Sequence, residues 1–202
     1  ARGMSILYIQ SHSGGPGAGV ARAAQAGDVA IVRERALTPD QIEAADGLIT
    51  TTHLDQIGWL AYAVPVQRLL ARGGRWVFNG HILRPFLPGL AVYMPLLAPK
   101  REDLALTRLG EHPIFAGIDQ QLLAKNRGVA GFYGRGHNPM PPGATAINGL
   151  GPGHLPIDWH WRLPTGGEML VHAGNEFWGC GDDAELKDLL VYRTIAWTGG
   201  RL

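Results

Sequence analysis

Side chains able to hold or move a proton recur in this chain just after short apolar runs. Ser11, His12 and Ser13 follow the first run, Thr51, Thr52 and His53 close the third, Asn79, Gly80 and His81 follow the fourth, and His172, Asn175 and Glu176 end the last. Four of the eight histidines occupy such places. An imidazole titrates near neutral pH and serves as acid or base. In an open α/β sheet, ligands bind beyond the carboxyl ends of the strands, so a parallel sheet would bring these groups to one side.

Three chemistries can be tried on this set. His12, His53 and His81 could supply three imidazoles to a zinc, nickel or iron ion with one open position. No helical HExxH or comparable motif accompanies them, so the expectation is no metal and no other cofactor. Covalent catalysis needs a nucleophile at a strand-to-helix elbow. Phe78-Asn79-Gly80-His81 stands in that place without Ser or Cys, and the only cysteine, Cys180, comes far later. Nothing in the spacing favours Ser11 or Ser13. A phosphate loop would suit Gly14–Gly19, but the GxGxxG pattern fails at Val20 and no Lys follows Gly19. A packing turn is the simpler reading, although its backbone N–H groups could hold an anion or carboxylate.

Short strands alternate with helices. Ser5–Gln10, Val29–Arg33, Gly47–Thr52, Arg75–Phe78 and Glu168–His172 read as buried strands. Val20–Ala26, a helix opening at Thr38-Pro39-Asp40-Gln41, Val64–Ala71 and Asp183–Thr198 read as helices. Thr38 and Gln41 have capping-box spacing. Leu104–Leu109 suggests an edge strand and His112–Asp119 a turn with a short helix. Residues 126–166, dense in Gly and Pro, suggest long ordered loops with short strands. In Asp158-Trp159-His160-Trp161, alternation places both indoles on one face, for the core or for a flat sugar face. The whole predicts an α/β fold with a mostly parallel sheet.

The chain has 202 residues, the length of one domain, here 4–202; residues 1–3 read as an appended remnant before a natural start at Met4. It is 46% apolar and 17% charged, which argues against disorder. With 18 basic and 17 acidic residues it has no electrostatic footprint for nucleic acid. No apolar run is long enough to span a membrane, and nothing contradicts a cytoplasmic setting.

The order of strands, the segment Gly73-Gly74-Arg75-Trp76-Val77-Phe78-Asn79-Gly80-His81, the segment Glu111–Ile118 and the ending Val171–Trp178 resemble the class I glutamine amidotransferase-like superfamily, most closely its ThuA-like, non-glutaminase branch. The resemblance implies a flavodoxin-like three-layer α/β sandwich. Glutaminases of that superfamily carry a cysteine at the elbow, within G-x-C-x-G, and a later His and Glu. Here Gly80 or His81 stands in the cysteine's place, and His172 and Glu176 have a different spacing, so thioester chemistry on glutamine is not expected. The resemblance leads to a small polar ligand, carbohydrate-like given the tryptophans, and to hydrolysis with His81 as base. Asn79 and the backbone N–H groups around Gly80 would then stabilise negative charge, and Glu176 would orient a histidine or act as acid. His12, Thr52, His53, His172 and Asn175 would line the ligand site. A silent binding or assembly module is the alternative, with Pro85–Pro99 as an interface for a homo-oligomer; a metal-dependent hydrolase is a further one.

Overall fold

The computed structural model describes residues 5–202; the expected start at Met4 and the remnant before it lie outside the described residues. The chain runs β1 (Ile6–Gln10), α1 (Ala18–Gln25), β2 (Ala30–Arg33), α2 (Pro39–Ala44), β3 (Gly47–Thr50), α3 (Gln56–Trp59), α4 (Ala63–Ala71) and β4 (Arg75–Asn79). It continues with β5 (Met94–Pro95), β6 (Leu106–Arg108), α5 (Gln120–Ala124), β7 (Gly136–His137), β8 (Thr145–Leu150), β9 (Leu155–Arg162), β10 (Glu168–His172) and α6 (Ala184–Thr198).

Eight strands form one sheet in the order β2-β1-β3-β4-β10-β9-β8-β6. The pairings from β2 through β10 are parallel, and β9, β8 and β6 extend the sheet antiparallel. From β1 the chain first goes to β2 on one side, then crosses to β3 on the other. The carboxyl ends of β1 and β3 therefore flank a topological switch point, where an open crevice forms.

Alternation divides the strands between two cores. Ile6, Tyr8, Val77 and Leu170 pack with Val20 of α1 and with Leu190, Ile195 and Trp197 of α6. Leu7, Ile9, Trp76, Phe78, Met169 and Val171 pack with Ile42 of α2 and with Val66, Leu69 and Leu70 of α4. Helix starts follow local chemistry. Thr38 Oγ1 accepts from the Gln41 amide and Gln41 Oε1 from the Thr38 amide, the expected capping box, and Asp183 caps α6.

Two expectations change. Residues 126–166 are not mainly loop, because β8 and β9 are full members of the sheet. Their Gly and Pro residues mark the connections, and β9 carries Trp159 and Trp161 on one face, in the core beneath α2 and α4. The β2 strand is apolar but half-exposed, because it is the sheet's edge. Among the described residues no helix is long and apolar enough to cross a membrane.

Candidate functional site

The crevice at the switch point is a cleft of about 840 Å³. Gln10, Ser11 and His12 enter it from the end of β1, Thr51 and His53 from the end of β3, and Gly17–Gly19 from the start of α1. The far wall is Asn175, Glu176, Trp178 and Cys180, with Lys187, Asp188 and Val191 of α6; Tyr8 and Phe132 also line the cleft. Gly19 makes the narrow spacing of α1 and α6 possible, since a Cβ there would stand 3.3 Å from Val191.

His12 and His53 meet in this cleft, their ring centroids 4.6 Å apart. His12 Nδ1 accepts the Gly14 amide at 2.9 Å. That bond fixes the neutral ring as the tautomer with its proton on Nε2. Glu176 Oε1 accepts the Thr52 amide at 3.0 Å, tying the β3 loop to the turn after β10. Thr52 thus contributes its backbone to the carboxylate's position and is not itself a lining residue. Burial, then the Glu176 charge, hold the Tyr8 phenol above its ordinary range.

The elbow after β4 is a different environment. Gly80 has φ of 138°, in the region glycine favours, and a Cβ there would sit 3.3 Å from the Thr52 Cα. Its amide donates to the His172 carbonyl at 2.9 Å, and its carbonyl accepts from Asn138 Nδ2 at 2.9 Å. The amide is therefore not free for a developing oxyanion. Asn79 is fully buried: Nδ2 donates to the Thr50 carbonyl and Oδ1 accepts the Phe177 amide, at 3.1 and 3.2 Å. It bridges β3 to the turn after β10. Both groups are thus engaged by protein partners rather than by the cleft.

His81 also stands apart. Its ring lies flat on Tyr93, centroids 3.7 Å apart and planes 5° from parallel, and it is not among the residues lining the cleft. Partial desolvation, then the charge of His172, hold its pKa below the usual histidine value. His172 is completely buried. Its Nδ1 donates to Asp158 at 2.5 Å, and the other oxygen of that carboxylate accepts from Tyr133 at 2.5 Å and Asn148 at 2.7 Å. His172 Nε2 has no partner among the described residues. A ring enclosed this way cannot touch a ligand in the cleft, which corrects its expected place among the ligand-binding residues.

Of the sequence-predicted site residues, the structure therefore brings His12, His53, Asn175 and Glu176 to one cleft, with Thr52 behind the carboxylate. Asn79, Gly80, His81 and His172 belong to the elbow and its support. The trio His12, His53 and His81 does not assemble, and among the described residues no three His, Cys, Asp or Glu side chains are grouped to hold a metal ion. No site role was read from the sequence for Tyr8, Asp158, Tyr133 or Lys187. The period-two pattern of β9 could have found Asp158, which faces away from Trp159 and Trp161.

The sequence matches no protein-family model and no curated protein. Solved structures do share its shape. A Thermoplasma acidophilum protein, provisionally described as one of the subunits of GMP synthase, has a TM-score of 0.60 at 10% identity, over 99% of this chain and 96% of that one. The fold is glutamine amidotransferase-like. The mmIFT52 N-terminal domain is similar too, with a TM-score of 0.57 at 12% identity over 96% of each chain. At these identities the likeness concerns the fold alone.

On that fold the chain lacks a competent thiol. Cys180 is buried against the cleft wall, and burial, with Glu176 and Asp158 adding to it, pushes its pKa up to about 12. The thiol stays protonated at neutral pH, and a thiol is a poor nucleophile.

Proposed function

We propose that this protein is a non-glutaminase member of the glutamine amidotransferase-like superfamily, of the ThuA-like kind and with a three-layer flavodoxin-like sandwich. It binds a small polar, carbohydrate-like ligand in the cleft between β1 and β3. The observation that carries this reading is the convergence of His12, His53 and Glu176 on one open cleft at the switch point. Trp178 and Phe132 in the same wall offer flat apolar surface, and Asn175 and Gln10 offer hydrogen bonds. If the ligand is hydrolysed, the base is an imidazole of the His12–His53 pair taking a proton from water, with Glu176 as acid or orienting group. This moves the chemistry away from His81.

Saturation-transfer NMR with a panel of neutral and acidic sugars, on the full chain, tests it. His53→Ala should abolish binding and any turnover, and His81→Ala should leave both intact. The reverse pattern would return the site to the elbow.

A second reading, an assembly module forming a homo-oligomer, is favoured by the excursion after β4. Leu83, Val92, Met94 and Leu97 are exposed there, Leu97 to 90%. Light scattering on Leu97→Asp decides it: a dimer that dissociates supports assembly, and a monomeric parent protein excludes it.

A further inference from the structure

The charges lining the cleft do not all cancel. Arg22 of α1 and Asp188 of α6 neutralise each other at 2.8 Å. Glu176 is held through one oxygen by the Thr52 amide. Lys187, also on α6, lines the same cleft, and among the described residues its ammonium has no carboxylate within ion-pairing distance and no hydrogen-bond acceptor. Glu176, from the turn after β10, and Lys187, from α6, line this one cleft together.

A ligand filling this space meets one acceptor carboxylate and one donor ammonium. A neutral polyol would satisfy Glu176 with its hydroxyl groups and leave Lys187 desolvated without a counter-ion, which is costly. A simple amine would satisfy Glu176 and be repelled by Lys187. A molecule with both hydroxyl groups and a carboxylate satisfies both, through charge-assisted hydrogen bonds. We propose that the cleft selects a small hydroxy acid, with the carboxylate held by Lys187 and the hydroxyl groups by Glu176. This rests on the cleft reading above and adds the ligand's charge.

The matched probes are D-glucuronate and D-glucose, titrated calorimetrically at millimolar concentration into the full chain. Glucuronate should bind about tenfold more tightly than glucose, the range of one hydrogen bond to a charged group. Lys187→Met should erase that preference, Lys187→Arg should keep it, and Glu176→Gln should weaken both probes. Equal affinities in the parent protein, or a preference that survives Lys187→Met, overturn the hydroxy-acid inference and leave the cleft reading standing. Binding of neither probe, or binding of both unaffected by Glu176→Gln, overturns the two together.

Discussion

The cleft at β1 and β3 and the elbow after β4 present the same residue types at the same edge of one sheet, yet their polar groups are used differently. In the elbow, Asn79 links β3 to the turn after β10, Gly80 is bonded through both its amide and its carbonyl, and His172 is locked to Asp158. In the cleft, His12 and His53 are exposed, and Glu176 keeps one oxygen free of any protein partner among the described residues. Buried polar groups must be paired, and pairing removes them from chemistry. Position at a strand's carboxyl end therefore nominates a residue, and exposure decides whether it remains available.

The largest expected effect lies behind the elbow. Asp158→Ala removes one acceptor for three buried donors, on His172, Tyr133 and Asn148. Breaking a buried charged pair from one side costs about 3–5 kcal/mol. Urea unfolding should show a loss of that size. A loss of about 0.5 kcal/mol, as at an ordinary surface site, would mean the elbow's support is not structural, and the contrast with the cleft would fail.

Acid sharpens the contrast at the opposite end of the sheet. His112 is buried beside His160 and Trp197, and its Nε2 has no partner among the described residues. Burial above all, then the charge of His160, lower its pKa to about 3 from 6.5. The neutral ring is the folded form, and the unfolded chain takes up the proton first. Stability is thus full above the unfolded value and falls as pH drops from 6.5 toward 3. His160, lowered chiefly by burial, acts in the same sense. Between pH 7 and 4.5 the His112 contribution is about 2–3 kcal/mol by linkage. Thermal melts should drop across that window, and less so for His112→Phe. A flat profile would remove this histidine from the buried class.

Asn79→Ala is expected to cost about 1–3 kcal/mol, the desolvation of the Thr50 carbonyl and Phe177 amide it leaves unpaired. Ligand binding in the cleft should weaken only as far as the turn carrying Glu176 loosens. A loss of turnover with stability unchanged would restore Asn79 to an oxyanion role.

What could be read from the sequence followed from local rules. Capping at Thr38, the apolar strands and the side of the sheet bearing His12, His53 and Glu176 all follow from patterns within a few residues. The separation of cleft from elbow did not, because it depends on contacts between distant segments. The Asn79–Phe177 and Gly80–Asn138 bonds join positions 98 and 58 residues apart. The sheet strands β8 and β9 were obscured by glycine and proline in their connections, and the bulged register near Asn148 breaks the strict alternation that announces a strand. The role of Asp158 was not legible because its partners, Tyr133 and His172, come from other segments.

The smallest effect on stability, and the most decisive for the cleft, belongs to the double substitution of His12 and His53 by Ala. Both rings are exposed, and the His12 ring makes a single local bond to the Gly14 amide. Surface changes of this kind shift stability by about 0.5 kcal/mol or less. Chemical denaturation should therefore overlay the parent curve, while sugar-type ligands no longer register by NMR. The pairing of an intact fold with lost binding is what an available site predicts and a structural one does not. A double variant that unfolds early would show these imidazoles to be braces like Asn79, and one that binds as before would leave Glu176 and the aromatic wall as the whole of the site.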